Sequence, residues 1–186
     1  MVMAKKEKMN KIICPSCGID NSLDLNTCNS CKSSLKLNNK YYLIDVIGEN
    51  NQITYLGKAS LQEPQASDFV IIKELSIASL ENWKNKELFE REISVLNSLN
   101  HRQIPKLVDS FELGGKNNKT FYLVMEYIEG TSLKDEISNK RYNEEEVLLL
   151  IEELLIVLVY LHSFSPQIVY IDIKPFNIIQ RKGIIN

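Results

Sequence analysis

The four cysteines of the chain all fall between residues 14 and 31, as CPSC and then, ten residues later, CNSC. Each CxxC can turn two thiolates towards one point. Two such turns, Cys14–Cys17 and Cys28–Cys31, complete a tetrahedron suited to zinc. The intervening GIDNSLDLNT is short and polar, so a metal would have to supply the folding energy that a core cannot. Four thiolates leave no open coordination position, which makes the expected role structural. Two disulfides are the other use of four cysteines, and they belong to oxidising compartments. A second polar group of interest is VYIDIKPFNII, residues 169–179, where Asp172, Lys174 and Asn177 stand within six positions among isoleucines. A third is a pair far apart in sequence, Lys73 in VIIK and Glu92 in FEREISVL.

Composition narrows the classes. The 186 residues are 44% hydrophobic and 25% charged with a net charge of −2, as expected for a soluble chain with one medium domain and something small. Basic and acidic residues nearly cancel, which argues against nucleic acid as a partner. MVMAKKEKMNKII is basic but lacks the apolar stretch of a secretory signal. The most apolar run, VLLLIEELLIVLVYLHSF at 147–164, contains Glu152 and Glu153 and is shorter between charges than the ~20 residues a membrane span needs. It reads as a buried helix, with no membrane partner within this chain, and the expected location is the cytoplasm.

The elements that must position these groups can be read in order. Residues 1–11 form a tail, 12–34 the cysteine module and 35–40, LKLNNK, a short polar linker. Cys14→Ser is therefore expected to abolish metal binding without unfolding the residues beyond the linker. Strands are predicted at 41–48, 53–60 and 68–75. A helix is predicted at 80–99, with Phe89, Ile93, Leu96 and Leu99 at helical spacing. IPKLVDSFEL and KTFYLVMEYIEG read as two more strands around GGKNN. Ser132 and Asp135 open a short helix after Gly130. Asn143 with Glu146 resembles a capping box opening a long helix at 144–163.

This order of elements and residues resembles the protein kinase family, serine/threonine type, over residues 41–186. The cysteine module resembles the zinc ribbons of many bacterial and archaeal proteins. The implied fold is α+β: a five-stranded kinase N-lobe with one main helix, then the first helices of a C-lobe. The resemblance implies roles. Lys73 matches the strand lysine that meets the phosphates of ATP, and Glu92 matches its helix partner. Met125 matches the gatekeeper behind the adenine. The backbones of Glu126 and Ile128 match the adenine's hydrogen-bond partners. Gly48 matches the first glycine of the phosphate loop. Asp172 matches the residue that accepts the substrate hydroxyl's proton, Lys174 the lysine that steadies the phosphoryl group, and Asn177 a Mg2+ ligand. His101 and His162 match structural positions of the family rather than catalysts or metal ligands.

Departures from the family pattern shape the expectation. ENNQI replaces the later glycines of the phosphate loop, Ile71 stands where a small alanine is usual, and Tyr170-Ile171 replaces His-Arg. Residues 178–186, IIQRKGIIN, suggest a hairpin whose second strand has only begun, and the sequence contains no Asp-Phe-Gly. The sequence therefore reads as a fragment of a serine/threonine protein kinase that phosphorylates protein hydroxyls and is inactive alone. The alternative is a noncatalytic kinase-like module docking a partner through the ribbon. Helix 144–163 is apolar nearly all round and must be covered, by later helices or by another chain.

Overall fold

The computed structural model describes residues 11–49, 52–59, 68–77, 83–115, 118–169 and 173–181. The chain divides into two compact units, residues 8–98 with 106–127, and residues 1–7 with 99–105 and 128–186.

The first unit is built on one antiparallel sheet. Its strands are β1 (Ile12–Ile13), β2 (Asp20–Asn21), β3 (Tyr42–Glu49), β4 (Ile53–Lys58), β5 (Phe69–Ile77), β6 (Leu107–Gly115) and β7 (Asn118–Glu126), in spatial order β2-β1-β3-β4-β5-β7-β6. The five strands expected of the N-lobe are the contiguous set β3-β4-β5-β7-β6. The register is continuous from Lys58↔Phe69 to Ile53↔Glu74 and from Val70↔Glu126 to Ile77↔Lys119. Alternation then sorts the side chains. Tyr55, Val70, Ile72, Tyr122 and Val124 share one core, whereas Leu123 and Phe121 join a second with Phe89 of helix α1 (Trp83–Ser98). Leu75, Ile93, Leu96, Leu107 and Met125 pack around that second core.

The cysteine module enters this sheet rather than standing off it. Ile13 of β1 pairs with Leu43 of β3. Residues 35–40, expected as a polar linker, are corrected by the same packing. Leu35 and Leu37 are buried, Leu37 pairs with Tyr41, and Lys40 and Tyr41 both reach the carboxylate of Asp109, at 2.8 and 3.1 Å. The polar look of LKLNNK is misleading, because its two leucines alternate with residues that face outward. Asn38 and Asn39 take the left-handed backbone, φ 48° and 57°, that turns the chain there.

The second unit carries β8 (Gly130–Ser132), α2 (Leu133–Ile137), α3 (Glu144–His162), a 3-10 turn at Pro175–Asn177 and β9 (Ile179–Arg181). Both helices start where capping chemistry predicts. The Ser132 hydroxyl accepts from the Asp135 amide, and Asn143 and Glu146 exchange reciprocal bonds of 2.9 and 3.0 Å. β9 pairs with β8, Ser132↔Ile179 to Gly130↔Arg181. The second strand of the expected hairpin lies outside the described residues. A Cβ on Gly130 would collide with the backbone carbonyl of Gln180, so this glycine is required by a close approach of two strands. The cis peptide at Ser165-Pro166 comes after α3.

Candidate active site and tetrathiolate centre

The cysteine site is made by two equivalent turns. In each, the amide four residues after the first cysteine donates to that cysteine's carbonyl: Gly18 to Cys14 at 2.9 Å and Lys32 to Cys28 at 3.1 Å. The same residues hold left-handed backbone, φ 73° at Gly18 and 63° at Lys32. Lys32, which stands in the second turn where Gly18 stands in the first, therefore adopts the conformation of its glycine counterpart.

The turns bring all four sulfurs within 4.8 Å of one another. Cys14 and Cys31 are 3.5 Å apart and Cys17 and Cys28 3.6 Å, and all four are free thiols. Sulfurs at the corners of a tetrahedron with metal–sulfur bonds of about 2.3 Å lie about 3.8 Å apart, so the spacing fits a four-thiolate metal site. The amide of Ser30 and the side chain of Asn21 point at the Cys28 sulfur, at 3.4 and 3.6 Å. Asn21 also donates to Ile19 and accepts from the Asn29 amide, which fixes its orientation. Such outer partners orient a ligand and stabilise negative charge on it. Donation from the Cys31 and Ser30 amides, against some desolvation, pulls the Cys28 thiol down to about 6. Asn21 is buried and was not singled out by sequence, because an Asn in the polar stretch between two CxxC pairs looks like loop.

The second site begins at Lys73 and Glu92. Phe89 and Leu96 lie three residues before and four after Glu92 and both pack toward the sheet, which turns Glu92 the same way. Its Oε1 sits 3.5 Å from the Lys73 ammonium, with the two side chains 34% and 38% exposed. A pair this open to water contributes roughly 0–1 kcal/mol to stability. It is better suited to orienting an ammonium than to holding the lobe together. On the sheet, Lys73 stands opposite Leu123, and Ile71 opposite Met125. Met125 is half-buried against the Phe89 cluster. Gly48 pairs with Thr54 beside an irregularity at Val46/Gly48. The adjoining Asn50 and Asn51 lie outside the described residues. The Glu126 amide donates to the Lys106 carbonyl at 2.9 Å.

The same unit holds two charged groups, one half-buried and one fully buried, that the sequence pattern does not reveal. Glu74 lies among Tyr55 and Tyr122; burial raises its carboxyl above the usual range, although both tyrosine hydroxyls bond to it and oppose the rise. Lys58 is fully buried, with its ammonium 5.5 Å from the Phe69 ring centroid and no hydrogen-bond partner among the described residues.

In the second unit Lys174 and Asn177 bracket the 3-10 turn, and the Asn177 amide donates to the Lys174 carbonyl at 2.9 Å. Both residues are exposed. The turn places them one helical step apart on one short element. Ile128 is half-buried just before β8. Asp172, with Tyr170 and Ile171, lies outside the described residues. His101 stacks on Tyr160 with ring centroids 4.8 Å apart, and Tyr160 accepts from the Asn100 amide at 2.7 Å, so His101 has a packing partner in the described structure. No helix among the described residues is long and apolar enough to cross a membrane.

Comparison with known proteins agrees with this architecture. The family model of the protein kinase domain matches residues 57–185. Serine/threonine-protein kinase B of Synechocystis sp. is 32% identical over 167 residues, 87% of this chain and 28% of that protein. That share exceeds residues 41–186, so the similarity reaches into the segment before Tyr41. Serine/threonine-protein kinase D of the same organism is 40% identical over 134 residues, 69% of this chain and 24% of the relative. Serine/threonine-protein kinase PrkC of Bacillus subtilis is 32% identical over 151 residues, 77% of this chain and 21% of the relative. The chain thus spans about a quarter of the length of these relatives. With the kinase-type sheet, its helix and the matched family model together, the chain belongs to the protein kinase domain family, of the bacterial serine/threonine type.

Proposed function

We propose that this chain is the nucleotide-binding part of a serine/threonine protein kinase, which transfers the γ-phosphate of ATP to protein hydroxyls, carried on a zinc ribbon. The observation that carries the proposal is the Lys73–Glu92 pair, brought to 3.5 Å from positions 19 apart in sequence. Phosphoryl transfer needs little covalent help from a protein. It needs placement and charge neutralisation. Glu92 holds the Lys73 ammonium towards the phosphates. Gly48 lies beneath them, Met125 closes the back of the adenine site, and the backbones of Glu126 and Ile128 bond the adenine edge. Asp172 accepts the proton of the attacking hydroxyl, and Lys174 balances charge on the group in flight. Asn177 offers a hard amide oxygen suited to Mg2+. The metal, when bound, shields the phosphates.

Zinc is proposed at Cys14, Cys17, Cys28 and Cys31, in a structural role and at about one ion per chain. Four free thiols together with this ligand set support a cytoplasmic location. The chain by itself is proposed to bind Mg-ATP weakly and to transfer no phosphate. A noncatalytic module with the ribbon as docking element is the second reading, favoured by the single glycine at the phosphate loop. The test is transfer of labelled γ-phosphate to serine or threonine of a protein substrate, using the longest product of the coding sequence. Transfer should be abolished in Asp172→Ala. Labelling that survives Asp172→Ala would contradict the assigned chemistry. A folded protein that binds no nucleotide would establish the second reading.

A further inference from the structure

The two residues of β1 face opposite ways, and each enters a different core. Ile12 packs with Cys14 and Cys28 of the ribbon, with Leu35 just after it, and with Tyr42 and Ile44 of β3. Ile13 packs with Leu37, Tyr41, Leu43, Tyr55, Ile72 and Val124 in the core of the N-lobe sheet. Two of the four thiol residues are therefore core residues of the strand that runs on to Gly48. The backbone is shared as well, through Ile13↔Leu43. Residues 8–98 and 106–127 form one compact unit with no division between ribbon and lobe.

We propose that metal binding at the four cysteines and the ordering of β3 and β4 are a single coupled event, so that the ribbon is a metal-dependent stability element of the nucleotide-binding sheet. The proposal rests on the metal reading of the cysteine cluster. A ligand that binds only the folded form stabilises whatever folds with its site. Here the site and β3 share one core. With the metal gone, four thiol groups no longer fix the two turns, and Cys14 and Cys28 can no longer hold Ile12 and Leu35 against Tyr42 and Ile44. The coupling replaces the independence expected of a module on a linker.

The experiment is hydrogen exchange with mass spectrometry on the whole chain, zinc-loaded and then chelator-stripped, with bound zinc measured on the same samples. Peptides across 42–58 should exchange at least about tenfold faster once zinc is removed, and re-addition should restore protection. Cys17→Ser with Cys31→Ser provides a second route, because both side chains are exposed and their replacement leaves no cavity. That variant should exchange like the stripped protein and not respond to added zinc. Protein that loses its zinc while exchange across 42–58 stays within about threefold would overturn the coupling but leave the metal site intact. Freshly purified protein without zinc would overturn both, so the two failures are distinguishable.

Discussion

At the scale of single residues, the chain places several side chains against local preference, and each makes a measurable claim. Lys32 occupies left-handed backbone that glycine takes at the matching Gly18. Lys32→Gly should stabilise the ribbon by about 1 kcal/mol, since the left-handed conformation costs a side-chain-bearing residue about that much. Zinc-loaded thermal unfolding measures it. Glu74 makes a claim about pH. Burial raises its folded-state pKa above the unfolded value near 4.5. The folded state therefore holds this proton more tightly, and stability falls as pH rises from the unfolded pKa through the raised folded one. Glu74→Gln should remove that decline and leave a flatter profile across the mildly acidic range. Denaturant titrations at several pH values would show it, and an unchanged slope would contradict the assignment. The cysteines and the Lys73–Glu92 pair were legible in sequence because each uses an unusual residue type at a fixed spacing or in a fixed order of elements. Asn21, Glu74 and Lys58 were not. Their roles depend on which strand faces which core, and a polar residue in a strand reads as solvated until its neighbours are placed.

At the scale of elements, most of the reading was available from pattern. The capping box at Asn143 and Glu146, the helical spacing of Phe89, Ile93 and Leu96, and the alternation in β5 and β7 are local signals, and the structure places α3, α1 and those strands close to the predicted bounds. What failed was non-local. LKLNNK read as a linker because four of its six residues are polar, yet Leu35 is buried among ribbon and β3 side chains and Leu37 in a core shared with strands far along the chain. Residues 179–181 also gain a partner that local pattern does not reveal, β8, about fifty residues earlier. This pairing is itself testable. Gly130→Ala drives a methyl group into the Gln180 carbonyl. It should destabilise the second unit by about 1–3 kcal/mol and unprotect the amides of 179–181, as overpacking against backbone does. Exchange rates at those amides equal to wild type would show that the strands tolerate separation.

At the scale of the whole molecule, the apolar surface of α3 is the dominant feature outside the sites. Leu148, Leu149, Ile151, Leu155, Ile156 and Val159 are exposed, with Val159 at 70%. Full burial of such a side chain is worth about 1.5–3 kcal/mol, and each of these forgoes roughly half of that. Surface of this kind calls for a cover, and solubility of the isolated chain should improve when one is supplied. The central claim, however, concerns the first unit: that its sheet and α1 exist to aim one ammonium at the phosphates of a nucleotide. Titration calorimetry of Mg-ATP into wild type and Lys73→Met tests it most directly. The ribbon, the sheet and the Phe89 core do not depend on the lysine's charge, so the variant should fold and melt like wild type. Loss of a charge-assisted contact to phosphate is worth about 1.5–3 kcal/mol. The account predicts weak binding by the wild type and at least about tenfold weaker binding by Lys73→Met. Equal affinity in the two proteins would contradict it.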